Sequence, residues 1–229
     1  MRIDRPLVEG TFVQRDNRFR ATVLVNGRPT KAHVPNSGRL HELLIPDQPV
    51  TLAHVPAAHR VTEYDLVMVR LGDELVSMDA RLPSRLFHEA GAAGQLDAFA
   101  GYACIEPEVR FGESRLDFRL EKDDEHCYVE VKSVTLVEDG CGLFPDAPTL
   151  RGQRHLRELI AAVNEGHRAA VVFVIQRDDA QRFAPHERAD PDFAQTLREA
   201  QVAGVEVHAF TCTVTPSEIV VNRPIPVEL

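Results

Sequence analysis

The hydrophobic pattern of this chain changes period near residue 82, and no other feature limits its fold as much. Before that point, short β-branched runs recur at strand length: Thr11–Arg15, Phe19–Val25, Pro49–Ala53, Tyr64–Arg70 and Glu74–Met78. Turn formers such as Asn26-Gly27 and Pro46-Asp47 separate them. Asn-Gly tolerates the positive φ that a tight hairpin needs. Short antiparallel strands this closely spaced predict a small barrel over residues 1–81, of which the oligonucleotide-binding (OB) type is one.

After residue 82 helices and strands alternate. Ser84 to Ala93 reads as a helix start, and strands are expected at Glu108–Phe111, Arg115–Leu120 and Cys127–Val134. Thr149–Val163 places Leu156, Leu159, Ile160 and Val163 on one helical face. The continuous apolar run Ala169–Ile175 fits a strand buried on both sides. Asp190-Pro191 caps a helix with Phe193, Leu197 and Ala200 as its inner stripe and Gly204 as its stop, before a last strand at Val205–Thr211. Residues 82–229 are therefore expected to form an α/β domain with a mixed sheet.

The chain carries a net charge of −9, which argues against a protein that coats nucleic acid indiscriminately. The charge is uneven. Residues 1–42 hold eight Arg and Lys against four Asp and Glu, whereas residues 81–229 hold 16 against 25. A basic front and an acidic remainder suit a phosphate-binding module joined to a part able to hold metal ions; ordinary surface charge is the alternative. No apolar run reaches membrane-spanning length, and the N-terminus has acid and proline where a signal peptide needs an apolar stretch. A cytoplasmic location and no membrane partner are expected. The four cysteines, Cys104, Cys127, Cys141 and Cys212, form no Cys-x-x-Cys pair and read as reduced, buried thiols.

The segment richest in chemistry is Ser114-Arg115-Leu116-Asp117-Phe118, followed by Tyr128-Val129-Glu130-Val131-Lys132. Alternation along a strand puts Glu130 and Lys132 on one face and Val129 and Val131 on the other. If the two strands pair, Asp117 can join Glu130, and two carboxylates with a backbone carbonyl make an oxygen-rich site suited to Mg²⁺ or Mn²⁺. A metal there would stabilise phosphoryl charge, and Lys132 could serve the attacking water. The chain uses 23 arginines but only Lys31, Lys122 and Lys132, so a lysine beside a carboxylate suggests that a compact ammonium is wanted there. A cross-strand ion pair on a solvated edge explains the same residues. Glu89, on the preceding helix, could face the sheet end as a further ligand. Arg151, Gln153 and His155, in the first half of the next long helix, are candidates to meet a phosphate.

Arg18-Phe19, Ala32-His33-Val34-Pro35-Asn36-Ser37-Gly38-Arg39, Ser114 to Asp117, Tyr128 to Lys132, Phe144-Pro145-Asp146-Ala147, Arg151 to Leu159 and Gly204-Val205-Glu206-Val207 together resemble the sugar fermentation stimulation protein A family. The resemblance runs from Pro6-Leu7 to Pro224-Ile225-Pro226-Val227, departing at Asp79-Ala80, where that family usually carries Asn-Thr. It implies an OB-type barrel followed by a domain similar to restriction-endonuclease-like PD-(D/E)xK nucleases. It also implies a DNA-binding protein linked to expression of sugar (maltose) catabolism genes. By this resemblance Asp117, Glu130 and Lys132 match the nuclease core, Glu89 the acid of the preceding helix, and Gln153 or His155 the helix that follows. Asp117, Glu130 and Glu89 are the expected metal ligands. DNA is the expected partner in preference to RNA, and such domains often pair as homodimers. A regulator that binds DNA without cutting it is the alternative.

The turn Pro35-Asn36-Ser37-Gly38 has positive residues on either side, and Arg18, Lys31 and Arg39 are the candidates for phosphate contact in the barrel. The same turn could simply pack against the second domain. Base-stacking platforms are hard to nominate, since the chain has no tryptophan and only Phe12 and Phe19 lie nearby.

Overall fold

The computed structural model describes residues 1–58, 60–102 and 104–229, and nothing is stated of the side chain of Cys104. The first six strands are β1 (Leu7–Asn17), β2 (Arg20–Val25), β3 (Arg28–His33), β4 (Pro49–His54), β5 (Tyr64–Leu71) and β6 (Glu74–Ser77). Their order is β3-β2-β1-β4-β5-β6, and a further pairing of β3 with β5 through Ala32–Tyr64 and His33–Asp65 closes β1 to β5 into a five-stranded barrel. Asn26 and Gly27, at φ +49° and +75°, make the β2–β3 hairpin turn expected of them. Phe12, Ala21, Val23, Leu52, Leu66 and Met78 fill the barrel. Phe12 is thus a core side chain and offers no stacking surface, whereas Phe19 is exposed and lies beside His33.

The second unit follows as α1 (Leu82–Ala92), β7 (Cys104–Phe111), β8 (Ser114–Lys122), β9 (Glu125–Val134), β10 (Val137–Glu138), β11 (Cys141–Phe144), α2 (Leu150–Asn164), β12 (Arg168–Ile175), β13 (Arg182–Pro185), α3 (Pro191–Val202), β14 (Glu206–Val214) and β15 (Ile219–Pro224). Six of these strands form one mixed sheet in the order β15-β14-β12-β9-β8-β7, with β9, β12 and β14 mutually parallel. The central β12 is buried from Ala169 onward, as its unbroken apolar run requires. On one face Leu156 and Leu159 of α2 and Phe193 and Leu197 of α3 pack on Val171 and Phe173. On the other, Leu86 and Phe87 of α1 pack near Val129, Val131 and Val172. The result is a five-stranded, OB-like barrel followed by an α/β domain of mixed sheet and flanking helices, as the sequence leads one to expect.

The caps follow the sequence signals. Asp190 accepts from Phe193 N at 2.9 Å to start α3, and Gly204, at φ +104°, follows its end. The two units are stitched together: Ser77 donates from its backbone N to Gln176 O at 3.0 Å and from its hydroxyl to Gln176 Oε1 at 2.8 Å. The first residues also cross to the second unit, where Ile3 N donates to Ser217 O at 2.8 Å and Ile219 N to Met1 O at 2.9 Å. Cys127, Cys141 and Cys212 are free and buried; the expectation for Cys104 lies outside the described side chains. No helix among the described residues is long and apolar enough to cross a membrane.

Candidate active site

The site forms where β8 and β9 come apart. Their ladder runs from Lys122–Glu125 to Phe118–Val129 and stops. In place of the next rung, the Asp117 carboxylate accepts from Val131 N through Oδ2 at 2.8 Å. The chain of β8 turns over at this point. Leu116 packs with the α2–α3 side of the sheet, yet Phe118 and Leu120 pack with the α1 side, although uninterrupted alternation would give all three one face. Opposite Asp117 on β7, Glu108 has a left-handed φ of +56°.

Glu130 and Lys132 share the face of β9 that meets α2, as alternation requires. Lys132 Nζ donates to Glu130 Oε1 at 2.6 Å, and His155 Nδ1 bonds the same oxygen. Arg151 Nε donates to His155 Nε2 at 3.3 Å, which assigns the donor role toward Glu130 to Nδ1. The other carboxylate oxygen, Glu130 Oε2, is buried and has no hydrogen-bond partner among the described residues. An orphaned carboxylate oxygen in a 4% exposed side chain is costly unless a cation meets it.

Electrostatics tell the same story. Burial, followed by the charge of Glu130, raises Asp117 to about 6. Burial also opposes ionisation of Glu130, but the Lys132 charge and the His155 hydrogen bond outweigh it and lower its pKa. Two carboxylates crowded at one fork, one of them protonating near neutrality, form a donor set that fits a hard divalent cation. No three His, Cys, Asp or Glu side chains converge to cage a metal among the described residues.

Asp117 also opens onto a cavity of about 400 Å³ whose walls include Arg85, His88, Glu89 and Glu108. Glu89 is exposed there and pairs with the Met1 amine at 3.0 Å. The other candidate residues divide between two places. Arg18 lines a cleft of about 260 Å³ between the barrel and the second unit, with Asn36, Ser37, Gly38, Asp146 and Thr149. Arg39 closes that junction through its backbone, donating from N to Asp146 Oδ2 at 2.5 Å. Lys31 instead spends its ammonium inside the barrel face, on Asp16 Oδ2 at 2.8 Å and Thr22 Oγ1 at 2.6 Å. Gln153 is buried, and its amide donates to Asp190 Oδ1 at 3.3 Å, bracing α2 against the α3 cap.

One organising residue has no signal in the sequence pattern. Arg15 donates to the carbonyls of Gly38 and Arg39 at 2.7 Å each, of Arg18 at 2.6 Å and of Asn36 at 3.1 Å, so a single guanidinium holds the whole turn at the cleft. Asp146, from the Phe-Pro-Asp-Ala segment, fastens the same turn from the other side.

Comparison with known proteins agrees with this architecture. Residues 13–78 match the model of the SfsA N-terminal OB domain, and residues 81–218 that of the sugar fermentation stimulation protein RE domain. The chain is 49% identical to a sugar fermentation stimulation protein homolog of Moorella thermoacetica over 227 residues, 97% of both chains. It is 45% identical to the homolog of Caldanaerobacter subterraneus subsp. tengcongensis over 229 residues, all of both chains. Among solved structures, Pyrococcus furiosus SfsA in complex with Ca²⁺ superposes with a TM-score of 0.91 at 34% identity, covering 100% of this chain and 98% of that one.

Proposed function

Because the chain belongs to the sugar fermentation stimulation protein family, whose two domains it carries in order, we propose that it is a DNA-binding protein with a divalent-metal-dependent phosphodiesterase site at the β8–β9 fork. The unpartnered, buried Oε2 of Glu130, with the charge-coupled Asp117 carboxyl raised by burial, carries this reading. Asp117 and Glu130 would hold the ion, with Glu89 across the cavity; the Ca²⁺ of the Pyrococcus furiosus relative supports a hard cation. Bound Mg²⁺ or Mn²⁺ supplies positive charge to a phosphoryl group and acidifies water.

The chain's own residues do the rest. Lys132, ion-paired with Glu130, orients the attacking water and counters charge developing on the phosphate. His155 fixes Glu130 in place with Arg151 behind it, so its part is to position the carboxylate. Arg18 and the amides of the Ser37-Gly38 turn offer the strand a second hold in the cleft. Lys31 and Gln153 are committed elsewhere and are left out of the phosphate contacts.

The test is cleavage of end-labelled single- and double-stranded DNA with Mg²⁺ or Mn²⁺, beside Glu130→Ala and Lys132→Ala. Metal-dependent cutting, lost in both variants while binding persists, is the expected result. Binding with no cutting by any form would replace the nuclease with a non-cleaving regulator of sugar catabolism genes.

A further inference from the structure

Between the barrel and the second unit, at the first residues of the chain, lies a cavity of about 450 Å³, within the range of sites that enclose a small ligand. Its floor is apolar, made by Leu7, Ala53, Val67, Met68 and Ile219. Its walls carry Arg2, Arg5, Arg81 and Arg85 against two acids, Asp4 and Asp79, in a chain whose net charge is −9. Asp79 is bound to Arg81 at 2.5 Å, and Arg81 also meets the buried Asp65 at 3.0 Å. Arg2, Arg5 and Arg85 are exposed and make no ion pair with any described residue. α1 begins in the same wall without a side-chain cap, which adds to the positive potential. Arg81 and Arg85 line both this cavity and the one onto which Asp117 and Glu89 open, so the two adjoin.

An apolar floor under a rim that carries the three guanidiniums of Arg2, Arg5 and Arg85 outside any ion pair with the described residues matches one nucleotide, its base on the floor and its phosphate on the arginines. We infer that this cavity is a subsite for one unpaired nucleotide of the substrate strand, beside the phosphate that meets Asp117. The inference rests on the nuclease reading for its strand and goes further in naming the substrate class. A base inside a duplex is stacked on both faces and paired at its edge, so it reaches such a floor only when unpaired or extruded. The preferred substrate is therefore single-stranded DNA, or a duplex carrying an unpaired nucleotide at the scissile position.

The experiment measures binding, with Ca²⁺ replacing Mg²⁺, by fluorescence anisotropy of a labelled single-stranded oligonucleotide and a blunt duplex. It uses the full-length protein and its Arg5→Glu plus Arg85→Glu variant. A control of equal charge change, Arg110→Glu plus Arg157→Glu, lies on exposed positions outside the cavity, and melting curves confirm that all forms fold. The cavity variant is expected to lose single-strand affinity more than tenfold, the control under threefold, and deoxyadenosine monophosphate should compete at millimolar concentration. Equal losses in cavity variant and control, or equal wild-type affinity for the two DNAs, overturn the subsite. Mononucleotide binding lost in the variant while strand affinity stays intact overturns the strand assignment, in favour of a free-nucleotide site. If wild type binds as expected but never cuts, the subsite stands and only the nuclease reading falls. Cutting with cavity variants that bind like wild type removes the subsite alone.

Discussion

Replacing Asp117 with Asn removes a charge from the β8–β9 fork but keeps its hydrogen bond, since an amide oxygen can still accept from Val131 N. The carboxyl sits at about 6 in the fold against an ordinary 3.8, because burial and the Glu130 charge oppose ionisation. The folded state therefore binds more protons than the unfolded chain between pH 3.8 and about 6, so stability falls as pH rises through that window. Above it the penalty is fully present. A shift of about two units corresponds to about 3 kcal/mol at most, and solvent reaching Asp117 through its cavity reduces this to about 1–2 kcal/mol. In EDTA at pH 7.5 Asp117→Asn should thus melt about 2–8 °C above wild type. At pH 4.2 the gain should shrink to about a quarter, because the wild-type carboxyl is then mostly protonated. Adding Mg²⁺ or Ca²⁺ at pH 7.5 should raise the melting temperature of wild type and leave the variant unmoved, narrowing the gap. Scanning calorimetry across pH, with and without metal, reads all three effects. A variant that melts below wild type in EDTA at pH 7.5 would refute the reasoning, since Asp117 would then gain from its charge without any cation.

Three further outcomes follow from particular contacts. Arg15→Ala leaves three carbonyls of the cleft turn and that of Arg18 without their donor, so it should destabilise by about 2–3 kcal/mol; hydrogen exchange should show the loss concentrated at residues 36–39. Asp190→Ala removes the α3 cap together with its bonds to Thr149 N and Gln153, and a drop of about 2–4 kcal/mol in urea unfolding is expected, against little effect from Gln195→Ala on the exposed side of α3. Glu206 is lowered to about 2, burial being outweighed by hydrogen bonds from Arg168 and His208. Its contribution should be complete above pH 4.5 and be lost as pH falls toward 2, so Arg168→Ala should flatten the urea midpoint over that range.

What the sequence makes legible is what depends on neighbours in the chain. The common face of Glu130 and Lys132 follows from the two-residue period of a strand, and the caps of α2 and α3 follow from Thr149 and Asp190 standing just before apolar stripes. β3 shows where that logic stops. Arg28-Pro29-Thr30-Lys31-Ala32-His33 buries only Ala32, so no alternation marks it, although the Asn26-Gly27 turn demands a partner strand there. Helical spacing alone cannot separate Gln153 from His155, both buried on α2; one finds Asp190 and the other Glu130 only after the sheet is built. The arginine-walled cavity is further out of reach, since it joins Arg2 to Ile219.

The fork itself is the instructive case, because there a local rule fails for a physical reason. Like charges on adjacent paired strands repel at close range, so Asp117 and Glu130 would strain a continued ladder. The strands part instead, and Asp117 recovers the lost rung by accepting from Val131 N. Leu116 and Phe118 then fall into opposite cores. The break in alternation, the raised carboxyl and the unpartnered oxygen of Glu130 meet at this one fork. In the proposed reading a divalent cation would offset the last two, the buried charge of Asp117 and the unmet oxygen of Glu130, at the point where the strand is least regular.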